Sequence, residues 1–82
     1  MDEKEMEKHM ERERIESEIR CLVSRLDAPT SDIGDWKVVK CYEAKLKGEE
    51  LPYNLDELME QRQAVRDKIN TLQAELESLN EQ

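Results

Sequence analysis

The stretch DWKVVKCYEAKLKGEELPY, Asp35 to Tyr53, gathers Trp36, Tyr42 and Tyr53, all three aromatic residues of the chain, together with four of its lysines. Trp36, Lys37, Lys40 and Tyr42 fall within about two helical turns. Ammonium groups beside aromatic rings, close to a helix N-terminus, are the chemistry of an anion site. A small anionic nucleotide is the ligand such a strip would take, and the same four residues would also suit a protein-docking face. Against both stands a plainer reading: Trp36 and Tyr42 anchor a short helix, and the lysines offset acidic neighbours.

Other chemistry is poorly provided for. His9 is the single histidine and lies in the charged run MDEKEMEKHMERER, where no apolar surroundings tune it or a neighbouring glutamate for proton transfer. Ser17, Ser24, Ser31 and Ser78 have no base to activate them, and there is no glycine-rich phosphate loop. Pairs such as Glu49 with Glu50 and Asp56 with Glu57 read as loop solubilisers and caps. Cys21 and Cys41 show neither a CxxC spacing nor a paired histidine. They are therefore expected as reduced, half-buried thiols rather than as metal ligands or a disulfide. The expectation is a non-enzymatic protein without metal or cofactor.

The elements that must position the strip are helical. Ile15, Ile19, Leu22 and Leu26 recur at spacings of four, three and four, which predicts a first helix over residues 2–26 with one apolar face. Residues 1–14 offer only Met1, Met6 and Met10 as apolar side chains, so this part frays or is covered by a partner. Pro29 ends the first helix, and Thr30, Ser31 and Asp32 offer cap oxygens, placing a middle helix over 31–47 that stops at Gly48. Gly34 weakens its first turn. Trp36, Val39, Tyr42 and Leu46 would share its packing surface. Asn54 with Glu57 then forms a capping box, Tyr53 with Leu58 a hydrophobic staple, and a third helix runs over 55–80.

That third helix carries Leu55, Leu58, Arg62, Val65, Ile69, Leu72, Leu76 and Leu79 at alternating spacings of three and four, a heptad seam broken only by Arg62. Arg62 either snorkels to solvent or pairs with a carboxylate across an interface and fixes register. The fold class is thus all-α: two long helices as an antiparallel coiled-coil-like pair with a short middle helix, in one small domain spanning 1–82. A chain of 82 residues with 41% charged and 4% aromatic residues buries a thin core on its own. Two chains completing a four-helix arrangement, a homodimer with the seam at its centre, is the expected state. The alternative is a monomeric three-helix domain with a protruding N-terminal helix.

Charge narrows the partners. A formal charge of −8 disfavours direct nucleic-acid binding, which needs basic surface to displace phosphate counterions. No apolar run approaches the roughly 20 residues of a membrane span, and the N-terminus lacks a signal peptide's apolar core, so a cytoplasmic protein is expected.

The segments SDIGDWK, LPYNLDEL and RQAVRDKIN, within Ser31 to Leu76, resemble small uncharacterised helical proteins of prophages and other mobile elements of gut-type bacteria. The resemblance implies a phage setting, and with it a protein that binds and inhibits or adapts a host component, a defence component included, through an acidic helical surface. Such a surface competes with nucleic-acid phosphates for a binding channel. Two further readings remain open from the residues: an oligomeric sponge for a small anionic nucleotide, and a structural coiled coil without a ligand.

Overall fold

The computed structural model describes residues 2–81, which form three helices and, among the described residues, no strand. The first, α1, spans Glu3–Asp27. Asp2 caps it by accepting a hydrogen bond from the Glu5 amide at 2.9 Å, and Glu3 and Glu5 place acid at the positive end of its dipole. The stretch 3–14 is therefore helical, with Met6 and Met10 exposed. Arg14 bridges Glu11 and Glu18 along its surface, and its hydrogen bond holds the Glu11 carboxyl below the usual range. The helix ends at Ala28, whose extended backbone is the conformation a following proline imposes.

The middle helix, α2, spans Asp35–Lys47, four residues later than the cap residues suggest. The oxygens expected to cap it are used elsewhere: the Ser31 hydroxyl donates to the Arg25 carbonyl and accepts from the Ile33 amide, holding two consecutive turns instead. Gly34 becomes the N-cap, with no side-chain bond. Rather than weakening a first turn, it permits a close return of the chain. A Cβ there would stand 2.7 Å from the Ala28 carbonyl oxygen and 2.9 Å from Trp36 Cδ1. At the far end Gly48 takes φ 73°, the left-handed stop expected of it.

The third helix, α3, spans Leu55–Glu81, entered through Asn54, whose Oδ1 accepts from the Glu57 amide at 3.0 Å. One half of the capping box is thus present. The seam lies along α1 in antiparallel fashion. Leu58, Arg62, Val65, Ile69 and Leu72 are buried, while Leu55, Leu76 and Leu79 are half-buried. Ile33, from the turn between α1 and α2, joins Leu58, Val65 and Ile69 in the core, with Ile19, Leu22, Leu26 and Val38 packed around them. Since α1 covers the seam within one chain, its burial does not require a second copy.

α2 follows α1 through the turn, and the return segment 49–54 and the start of α3 run beside it. Cys41 Sγ reaches the Tyr53 carbonyl oxygen at 4.0 Å, and Arg62 contacts the turn before α2. The result is a rod of 62 × 19 × 15 Å, longer than the about 40 Å that α3 alone can span.

The packing face of α2 differs from the expected one. Cys41 and Ala44 are buried and Val38 half-buried, whereas Val39, Tyr42 and Leu46 point to solvent. Small side chains fit against the thin return segment, and the larger ones are left outside. Cys41 is fully buried and Cys21 exposed, both free, so neither is half-buried.

Thermal melts should rank two substitutions. Asn54→Ala removes a cap worth about 0.5–2 kcal/mol. Gly34→Ala forces a Cβ into a backbone oxygen and should destabilise more. Equal or reversed effects would contradict the close return at Gly34.

Candidate functional site

Arg62 positions α2. Its side chain is 6% exposed, and it does not snorkel to solvent. From α3 it donates through Nη1 to the carbonyls of Leu26 at 3.1 Å and Ile33 at 2.7 Å, and through Nη2 to Asp35 Oδ1 at 2.5 Å. The carboxylate partner anticipated across an interface is supplied by the same chain. Leu26 lies in the last turn of α1, where carbonyls lack helical partners, and Asp35 opens α2. One guanidinium therefore fastens the end of one helix, the turn, and the start of the next. Only Nε is left without a hydrogen-bond partner.

With its start held in this way, α2 brings Trp36, Lys37 and Lys40 together, but not Tyr42. Trp36 Nε1 donates to the Ser31 carbonyl at 2.7 Å, which fixes the indole. Tyr53 meets it edge to face, with centroids 5.8 Å apart and planes at 87°. Lys37 Nζ lies 4.6 Å from the Tyr53 ring centre and 5.6 Å from that of Trp36, and Lys40 Nζ lies 5.5 Å from Trp36. The two ammonium groups rest on ring faces as cation–π partners. Tyr53, expected as a staple residue, is the member missed in the sequence. Its signal was its place among the three aromatics of one short stretch.

Tyr42 belongs to a second feature. At 100° per residue, Val39, Tyr42 and Leu46 lie within one narrow arc of α2, opposite Cys41 and Ala44. They are 52%, 62% and 70% exposed. Taken as a whole, α2 carries Lys37, Lys40, Lys45 and Lys47 against Asp35 and Glu43, a net positive helix in a chain of net charge −8. An apolar stripe at spacings of three and four is the pattern by which a helix enters a groove.

Comparison with protein-family models, curated proteins and solved structures finds no significant match. Among the described residues, no helix is long and apolar enough to cross a membrane, and no group of three or more His, Cys, Asp or Glu side chains could hold a metal ion.

The ring cluster should carry measurable stability. Lys37→Met, which removes an ammonium from both rings, should lower stability by about 0.5–1 kcal/mol. Tyr53→Ala should lower it further by taking away the edge-to-face contact, worth about 0.5–1.5 kcal/mol. Denaturant unfolding followed by Trp36 fluorescence reads both, and two neutral variants would show that the cluster contributes nothing.

Proposed function

We propose that the chain is a non-enzymatic protein-binding module that docks α2 into an apolar cleft of another protein. The observation that carries this reading is the outward stripe of Val39, Tyr42 and Leu46, which none of the described residues covers. Lys45 and Lys47, the two lysines nearest the stripe, fit a cleft with acidic groups on its rim. The long helices hold α2 at one end of the rod, and their acidic outer faces then lie along the partner, where a negative field competes with nucleic-acid phosphates. In the prophage setting implied by the resemblance, the partner is a cytoplasmic host component, one of its defence proteins included, that is inhibited or adapted by the docking.

The alternatives have less support. A nucleotide held by Trp36, Lys37, Lys40 and Tyr42 would have to displace both ammonium groups from their rings, and Tyr42 stands apart from them. A purely structural coiled coil leaves the stripe unexplained. A homo-oligomer built on Leu55, Leu58, Arg62, Val65, Ile69, Leu72, Leu76 and Leu79 would have to open a seam that α1 already covers. A second copy could instead meet the first at the stripe.

The double variant Val39→Asp, Leu46→Asp separates these outcomes. Exposed positions tolerate charge, so its melting temperature should stay near wild type. In a bacterial lysate it should lose a partner that wild type and the lysine-to-glutamine variant of Lys68 both capture. Retention of that partner by the double variant would overturn the proposal. So would a wild-type mass of twice 9.7 kDa in light scattering that falls to 9.7 kDa in the double variant, which would make a second copy the occupant.

A further inference from the structure

On the flank of the rod, away from the stripe, α1, the turn after it and α3 enclose an open hollow of about 680 Å³. That volume falls in the range of about 300–1,000 Å³ typical of small-molecule sites. Its apolar lining is formed by buried Ile33 and Val65, half-buried Leu22 and exposed Ala64. Two cationic residues also line it, Arg25 from the last turn of α1 and Lys68 from α3. Among the described residues neither head group has an ion pair or hydrogen bond, although the chain carries 21 acids against 13 basic residues. Asp32 and Gln61 complete the rim, and their side chains are likewise unpartnered.

We propose that this hollow binds a small phosphomonoester carried on a flat apolar ring system, the chemistry of a nucleoside monophosphate. A dianionic phosphate matches the two unpaired cations, with the Arg25 guanidinium able to present two parallel N–H groups to its oxygens. The ring covers the apolar lining, which a bare phosphate would leave wet. Asp32 accepts a hydrogen bond from a hydroxyl or exocyclic amine, and Gln61 can both donate to and accept from a ring edge. A monocarboxylate leaves one of the two cations unpaired. The site shares no residue with the α2 stripe, so it stands or falls independently of the docking proposal.

The test is an NMR titration of the full chain with adenosine 5′-monophosphate, with adenosine and inorganic phosphate as separate arms, read at the methyl groups of Leu22, Ile33 and Val65. The monophosphate should move these signals saturably, and each half alone should bind at least about tenfold more weakly. The double variant Arg25→Gln, Lys68→Gln should keep the ligand-free methyl spectrum and lose at least about tenfold in affinity. Ala64→Leu, which fills part of the hollow while leaving the charges in place, should weaken binding in the same direction. Lys37→Gln with Lys40→Gln should leave it unchanged. No methyl shift at millimolar nucleotide, equal binding of phosphate alone, or affinity insensitive to Arg25 and Lys68 would each overturn the site.

Discussion

A guanidinium stands where a helical seam calls for an aliphatic side chain, and the rest of the molecule is arranged around it. Arg62 is buried and donates to two carbonyls and one carboxylate drawn from three consecutive pieces of chain. Burying such a charge is costly unless its protons find acceptors, and hydrogen bonds to a charged group contribute about 1.5–3 kcal/mol each. The acceptors exist because Pro29 breaks the helix. The break frees the Leu26 carbonyl at the end of α1 and exposes that of Ile33 in the turn. The seam's polar defect and the chain's proline break thus answer one another.

From this follows the exposed face of α2. Asp35, fixed by Arg62, marks where the helix begins, and the return through Glu49 to Asn54 lies against only one side of it. Cys41 and Ala44 fill that side. A helix packed along one side only leaves its other side without a neighbour, so Val39, Tyr42 and Leu46 remain in solvent. Exposed apolar residues scattered singly are ordinary on any protein. Three in one arc, on the only net positive helix among the described residues of an acidic chain, form a surface with a direction and a charge.

Much of this was legible in the sequence. The seam of α3, its Asn54 cap, the break at Pro29 and the stop at Gly48 are local signals, and the structure keeps all four. The start of α2 was not legible in that way. Ser31 has the right chemistry for a cap, but its hydroxyl is drawn to the Arg25 carbonyl by a turn that periodicity does not encode. The inner face of α2 misled for a related reason: spacing alone identifies an apolar stripe, not the neighbour that covers it, and here the larger side chains face outward. Trp36, Lys37 and Lys40 were read as neighbours and are. Tyr53 joins them because the chain returns along α2, a tertiary fact. Arg62 was recognised as the odd member of its seam, but its partners lie 27 to 36 residues away in sequence.

The dependence of α2 on Arg62 is open to a direct reading by amide hydrogen exchange on the Arg62→Met variant, whose unbranched side chain can fill part of the arginine stem's place but has no donors. The account predicts that the amides of α2 lose most of their protection, while those of α1 and α3 flanking Ile15, Ile19, Ile69 and Leu72 keep theirs. Protection of α2 that is unchanged in this variant would contradict it.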